Sequence, residues 1–177
     1  MELCSGPIIL RAVTDEDWCM EQQLSQNAEV VRWTSYPAAI TEAEARTRVA
    51  RQQERARQGV TQRYTIWDGD TRVGTCGLGF LDQPSPEAMY ALLPTARGRG
   101  VATSALRLLT DWAAEYGRPA VTVVTVEGNA ASAAVARRAR FSIIETYEGQ
   151  HRGAASTLHR WRWLAGGSGT ATGAEPT

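Results

Sequence analysis

The sequence predicts one domain of mixed α/β class (α+β), built on a mostly antiparallel sheet with a single parallel β-α-β pair. Short alternating segments separated by turn residues follow one another between residues 62 and 93, which is the pattern of an antiparallel meander. Apolar residues then recur every three or four positions from Val101 to Tyr116, as they do on one face of a helix. The nearly continuous apolar segment Ala120–Val126 follows, and it is typical of a strand buried on both faces.

The N-terminal third predicts one strand and two helices. A strand is expected over Pro7–Ala12 and a helix over Trp18–Ser25, whereas Asn27–Ala38 has no regular pattern and is expected to be irregular. Thr41 is followed three residues later by a glutamate, the spacing of a capping box. We therefore expect a long polar helix over residues 42–58.

The remaining elements are mostly strands. The apolar spacing and the Gly- and Pro-containing turns between the segments predict strands over Gln62–Asp68, Arg72–Leu81, Glu87–Leu93, Phe141–Tyr147 and Ser156–Leu164. A polar turn over Glu148–Ala155 separates the last two. A second helix is expected to begin after Gly128-Asn129 and to run to about Ala139. The strand ending at Leu93 and the strand Ala120–Val126 flank a helix, so they should be parallel.

Composition limits the possible partners. Lys and Arg together number 19, as do Asp and Glu, in a chain of 177 residues, so no net charge attracts nucleic acid or an anionic membrane. The N-terminal residues lack the basic and apolar regions of a signal peptide, and no apolar stretch is long enough for a membrane span. We therefore expect a cytoplasmic protein without nucleic-acid or membrane partners.

The spacing of the cysteines argues against metal binding. Cys4, Cys19 and Cys76 are far apart and form no CxxC pair, and metal motifs need closely spaced ligands. We expect no metal site and no disulfide framework. The Gly-, Ser-, Thr- and Ala-rich residues 165–177 predict a disordered tail, which leaves residues 1–164 as the domain.

The stretch Pro94–Trp112 carries the main chemical signal. It joins a predicted strand to the strongly periodic helix through an Arg- and Gly-rich loop. Free N–H groups and the helix dipole make such a helix N-terminus an anion site, and Gly98 and Gly100 would let a phosphate approach the main chain. A dinucleotide fingerprint fits less well because the third Gly is missing, and a P-loop is excluded by the missing Gly-Lys-Ser/Thr.

The residues around this loop resemble the Gcn5-related N-acetyltransferase (GNAT) superfamily, and its RimI/RimJ/RimL-like branch in particular. Arg97-Gly98-Arg99-Gly100-Val101-Ala102 is similar to the acyl-CoA signature Arg/Gln-x-x-Gly-x-Gly/Ala. Tyr90–Pro94 looks like the family's fourth strand, and Asn129-Ala130-Ala131-Ser132 like its Asn-x-x-Ser motif. Phe141 stands where the family has the Phe of a Gly-Phe pair.

This resemblance implies the acyl-CoA N-acyltransferase fold, with about six or seven strands in the central sheet and a splayed parallel pair. It also implies transfer of the acetyl group of acetyl-CoA to a primary amine by direct attack, through a tetrahedral intermediate (EC 2.3.1 class). Acetyl-CoA would be held by the 97–102 loop, by the strand edge at Ala91, Leu92 and Leu93, and by Asn129 and Ser132. A main-chain N–H near Leu93 would bind the developing oxyanion.

Two departures from the family pattern bear on chemistry. Many relatives have a Tyr seven residues after the Asn, proposed to protonate the thiolate, but that position is Ala136 here. Arg140 replaces the expected Gly before Phe141, so the helix end should be built differently. Because of Ala136, the alternative function is a catalytically inactive acyl-CoA-binding or sensor domain.

Catalytic and acceptor residues are less defined by the sequence. Glu87 is the candidate base, and a solvated residue or a water chain are its alternatives. Ser132 is the candidate acid, or only a helix-start hydrogen-bonding residue. Trp33 and Tyr36 are candidates for the acceptor wall and His151 for the acceptor mouth; packing and a solvated turn are their alternatives. The acceptor is a protein N-terminus or a small amine, and a homodimer is possible.

Overall fold

One sheet of eight strands, in the spatial order β1-β2-β3-β4-β5-β6-β8-β7, organises the part of the chain that the structure describes. A computed structural model describes residues 2–166. The strands are β1 (Glu2–Ser5), β2 (Ile8–Ala12), β3 (Thr61–Asp68), β4 (Thr71–Gly79), β5 (Glu87–Leu92), β6 (Ala120–Val126), β7 (Ser142–His151) and β8 (Ala154–Leu164). Neighbours are antiparallel except β5 and β6, which are parallel. The predicted mixed α/β class is confirmed, but the sheet has one strand more than expected because β1 forms a hairpin with β2.

Between residues 2 and 166, five α-helices connect the strands: α1 (Trp18–Ser25), α2 (Ala28–Trp33), α3 (Glu42–Arg57), α4 (Val101–Glu115) and α5 (Ala130–Arg138). The Thr41 capping box is formed as predicted, since the Thr41 and Glu44 side chains and backbones bond reciprocally. The prediction that Asn27–Ala38 is irregular was wrong over α2. Asn27 Oδ1 caps this helix by accepting a hydrogen bond from the Val30 N–H at 3.1 Å.

The β7–β8 hairpin is tighter than the sequence suggested. The predicted turn over Glu148–Ala155 lies mostly within the strands, because β7 continues to His151 and β8 begins at Ala154. Only Arg152 and Gly153 form the turn, with φ of +53° and +79°. Two residues with positive φ match the right-handed twist of paired strands.

Helix α5 ends in a residue with left-handed backbone conformation, which a glycine at this position would usually supply. Arg140 has φ of +66°, and the Phe141 N–H donates to the Ala136 carbonyl at 3.0 Å, which satisfies a carbonyl of the last turn. The expectation of a different helix end was therefore wrong. Arginine adopts the left-handed conformation that glycine would adopt more easily.

Helix α4 covers the main hydrophobic core. Ten of its residues are buried, and the apolar ones, among them Leu106, Leu109 and Trp112, pack with the strands and with Phe141 in one cluster. A smaller cluster under α1 and α2 joins Met20, Leu24, Val30 and Tyr36 to Ala91 of β5. Strand β5 thus contacts both cores, which fixes its position from two sides.

The predicted tail, residues 165–177, lies outside the described residues except at its start. There, the Ala165 N–H donates to the Pro119 carbonyl at 2.9 Å. Within residues 2–166, none of the helices combines the length and the apolar character needed to cross a bilayer.

We predict that Gly74→Ala destabilises the protein by about 1–3 kcal/mol, as overpacking usually does. A Cβ at Gly74 would lie 2.3 Å from the Ala91 carbonyl oxygen and 3.1 Å from Leu92 Cα, so β4 and β5 would have to separate. Urea denaturation measures the effect. Gly79→Ala is the matched control in the same strand, because its nearest contact is 4.0 Å away; equal stability of both variants would contradict the prediction.

Candidate active site

Strands β5 and β6 diverge after their first residues, and a cavity fills the gap. In the described part of the chain, they pair only at Glu87 and Thr122, where the Thr122 N–H donates to the Pro86 carbonyl at 2.9 Å. Strand β5 forms six residue pairs with β4 on its other side. The resulting cavity has a volume of about 530 Å³ and is lined by β5, the loop after it, α2, and the first turns of α4 and α5.

The open edge of β5 presents main-chain groups to this cavity, but the N–H of Leu93 is not one of them. The Leu93 N–H donates to the Val73 carbonyl of β4 at 2.9 Å, so it is not free to bind an oxyanion. Residues alternate in an antiparallel ladder, so the N–H groups of Tyr90 and Leu92 point away from β4. Ala91 and Leu92 line the cavity, and Leu93 is not among the lining residues.

The start of α4 lies at one end of the cavity and has the geometry of an anion site. Gly98 and Gly100 have φ of +75° and +81°, and a Cβ at either would meet no atom within 4 Å. The first intrahelical bond runs from the Ser104 N–H to the Gly100 carbonyl at 3.0 Å, so the N–H groups of residues 101–103 are orphan donors. Residues 100–103 line the cavity and include no carboxylate, so the site fits a pyrophosphate.

The two arginines of the loop have different positions. Arg97 lines the cavity, and its guanidinium donates to Asn27 Oδ1 at 3.1 Å and to the Leu92 carbonyl at 3.3 Å. It thereby ties the cap of α2 to the end of β5. The Arg99 side chain instead pairs with Asp68 at 2.7 Å and does not line the cavity, so any part it has in binding would come from its main chain.

On the opposite wall, α5 presents a hydroxyl pair. Asn129 Oδ1 accepts from the Ser132 N–H at 3.0 Å, which caps the helix. The Ser132 Oγ lies 2.7 Å from the Tyr90 hydroxyl of β5. Both side chains line the cavity, and their hydrogen bond crosses the gap between the diverging strands. Burial raises the pKa of the Tyr90 phenol, and the bond with Ser132 partly opposes this.

Glu87 stands at the vertex where β5 and β6 still pair, and it lines the cavity. Burial raises the pKa of its carboxyl, and the positive charge of Arg160 acts in the opposite direction. Arg160 itself pairs with Glu145. A half-buried carboxylate with a raised pKa is a better proton acceptor than an exposed one.

Of the three residues predicted on the acceptor side, one lines the cavity and two do not. Trp33 lines the cavity, and its Nε1 donates to Glu29 at 3.1 Å. Tyr36 does not line it, because the ring is 1% exposed in the smaller core, under the Arg48 guanidinium. His151 also lies outside the lining, but its Nε2 bonds the Arg32 carbonyl at 2.7 Å, and so it holds the segment that carries Trp33.

Several lining residues were not anticipated from the sequence. Phe80 is 57% exposed and has φ of +56°, which is unusual for a bulky residue. Glu29 and Val30 line the cavity through the unexpected helix α2. The Asn27 cap with Glu29 in the first turn was a usable signal for that helix. No local signal marks Phe80 or pairs Tyr90 with Ser132.

Comparison with known proteins agrees with this geometry. A family model described as "Acetyltransferase (GNAT) domain" matches residues 8–142, which is more than half of the chain. A search of curated protein sequences gave no significant match.

Three solved structures illustrate the similarity of fold. A RimL ribosomal L7/L12 alpha-N-protein acetyltransferase in complex with coenzyme A has a TM-score of 0.85 at 18% identity, over 93% of this chain and 98% of that chain. The Salmonella typhimurium acetyltransferase that modifies the N-terminal serine of L7/L12 has a TM-score of 0.82 at 18% identity, over 93% and 99%. The microcin C7 self-immunity acetyltransferase MccE, in complex with acetyl-CoA and AMP, has 0.84 at 14%, over 91% and 94%.

The chain therefore belongs to the GNAT acetyltransferase family. It is an acetyl-CoA-dependent N-acetyltransferase by family membership, and its sheet, divergent parallel pair and helices have the acyl-CoA N-acyltransferase fold. This confirms the resemblance found in the sequence.

We predict that Gly100→Asp weakens binding of CoA at least about tenfold, because like charges at a binding site cost several kcal/mol. The carboxylate would stand among the orphan N–H groups of α4. Calorimetry with CoA measures the affinity, and circular dichroism checks the fold.

Gly117→Asp is the matched control at the other end of α4. It also has positive φ, +71°, and open surroundings, and an acidic residue there is less favourable for the helix dipole. Equal CoA affinity in both folded variants would refute the anion-site assignment.

Proposed function

We propose that this protein acetylates a primary amine, and that the α-amino group of a protein N-terminus is its leading acceptor. The carrying observation is that one cavity joins the orphan N–H groups of α4 to the Glu87 carboxylate and the Ser132 hydroxyl. Similarity of fold to acetyltransferases that act on ribosomal-protein N-termini supports the choice of acceptor. A small-molecule amine is the alternative acceptor.

When bound, acetyl-CoA would supply the activated acetyl thioester, which a neutral amine attacks and from which the thiolate leaves. The N–H groups at the start of α4 would hold its pyrophosphate. The free edge of β5 would pair with the pantetheine arm, and the N–H of Leu92, rather than that of Leu93, would stabilise the developing oxyanion, a contribution of about 3 kcal/mol.

Two side chains would move protons. Glu87 would accept the proton of the attacking amine, directly or through water. Ser132 would give a proton to the leaving sulfur. Trp33 would form part of the acceptor wall, together with Glu29 and the exposed Phe80. Glu29 and Glu87 both line the cavity, and their carboxylates would favour a cationic acceptor before its deprotonation.

Release of CoA thiol tests the function directly. We would assay hexapeptides beginning with Ser, Ala or Met, and spermidine as a small polyamine, each with acetyl-CoA. Turnover with a peptide supports the leading proposal, and turnover with spermidine alone supports the alternative acceptor. Tight acetyl-CoA binding without turnover from acid to alkaline pH would favour the sensor function. The cytoplasmic location and the homodimer stay predictions.

We predict that Glu87→Gln lowers kcat on the order of 10²-fold, the usual contribution of a general base. The wild-type kcat should rise with pH as the Glu87 carboxyl loses its proton, since only the carboxylate can accept one. Because burial raises the pKa of this carboxyl, that limb should lie at higher pH than for an exposed glutamate, and it should vanish in the variant.

Glu115→Gln, at the exposed end of α4, is the control and should leave kcat unchanged. A large loss in Glu29→Gln together with full activity of Glu87→Gln would assign the base to Glu29 instead.

A further inference from the structure

The hydrogen bond between Tyr90 and Ser132 joins two elements that the diverging strands have separated. Tyr90 lies on β5, and Ser132 is in the first turn of α5, 42 residues later. Their oxygens are 2.7 Å apart, the usual length of an O–H···O bond. Both residues line the cavity, so the bond lies where a substrate would pass between β5 and α5.

We propose that Tyr90 is a positioning residue that orients Ser132 and replenishes its proton, and that it takes the place of the phenol missing at position 136. This inference rests on the proposed acetyl transfer. It names Tyr90 as the group that enables Ser132 to protonate the leaving thiolate.

The direction of the bond follows from acidity. A phenol, with a pKa near 10, is a stronger acid than an aliphatic hydroxyl, so the Tyr90 O–H donates and Ser132 Oγ accepts. The remaining Ser132 proton is then free to point into the cavity. Asn129 fixes the same turn of α5 by accepting from the Ser132 N–H, so the backbone and the side chain of Ser132 are both held.

As the carbon–sulfur bond breaks, its electron pair goes to sulfur, and the Ser132 O–H proton moves to that sulfur. The Tyr90 proton moves at the same time to Ser132 Oγ, which leaves a tyrosinate that accepts a hydrogen bond from the restored hydroxyl. The tyrosinate then regains a proton from water, and the proton lost by the amine leaves through Glu87 to solvent.

The surroundings of Tyr90 suit this role. Burial raises the pKa of its phenol, so the residue holds at neutral pH the proton that it would give, but burial also makes the phenol a weaker acid. Ser132 lowers that pKa in turn, because a hydroxyl stabilises the tyrosinate more than the neutral phenol. Ala136 is 1% exposed in the main core, so this position offers the cavity no acid.

Three variants test the proposal: Tyr90→Phe, Ser132→Ala and the double variant. The acceptor in the assay is the Ser-initiated hexapeptide, or spermidine if the enzyme acetylates no peptide. Tyr90→Phe should lower kcat on the order of 10²-fold and leave the affinity for acetyl-CoA and the denaturation midpoint unchanged. The double variant should be no slower than Ser132→Ala, because residues acting as one unit are not additive. Tyr116→Phe, at the end of α4 where the side chain is 56% exposed, is the control.

Full activity of Tyr90→Phe, or losses that multiply in the double variant, would overturn the relay. A fall in CoA affinity and stability without a change in kcat would mean that the bond is only structural, and would overturn it too.

A second readout does not depend on turnover. In the enzyme without acetyl-CoA, the ¹³Cζ resonance of Tyr90, assigned by its loss in Tyr90→Phe, should titrate at higher pH in Ser132→Ala than in the wild type. An unchanged titration would overturn the proposal even if the enzyme is active. If no amine is acetylated but the titration shifts, the proposed function fails while the coupling of the two hydroxyls stands.

Discussion

The divergence of β5 from β6 is the constraint on which the rest of the structure depends. Unpaired backbone groups inside a protein are costly, yet β5 keeps only one residue pair with β6 after forming six with β4. The strand can hold this position because the main core under α4 and the smaller core under α1 and α2 both contact it. The free edge then faces a cavity, where a ligand can satisfy the exposed groups.

The cover of this cavity is held by distant parts of the chain. Helix α2 has six residues, and helices that short are not stable alone. Arg97 contacts its cap at Asn27. From the tip of the β7–β8 hairpin, His151 contacts the Arg32 carbonyl, and Arg152 contacts the carbonyls of Thr34 and Tyr36. The segment that carries the proposed acceptor wall is therefore coupled both to the 97–102 loop and to the last hairpin.

Local signals allowed most of the fold to be predicted, and long-range contacts account for what was missed. The Thr41 capping box and the apolar spacing of α4 act within a few residues, and both are found as expected. Helix α2 has a local cap signal at Asn27, but it also depends on contacts 70 and 119 residues away, which its own sequence does not show. Similarly, Tyr36 is an aromatic residue beside a polar loop, and only the packing of α1 and α3 around it shows that it belongs to the core. Leu93 was misassigned because its hydrogen-bond direction depends on the register of β4.

The contrast between local signals and long-range contacts also applies to the candidate site, at its acetyl-donor end and at its proposed acid. The donor end is built from main-chain groups at a helix start, which depend on glycine positions and can be recognised in a sequence. The proposed acid depends instead on two side chains that meet across the cavity. A phenol at position 136 would have to displace the main core, since Ala136 packs there beside Ala139 and Phe141. Strand β5 can supply a phenol without that cost, because Tyr90 already reaches α5 from the strand whose edge the ligand would occupy. The substitution at position 136 therefore does not by itself argue for an inactive protein.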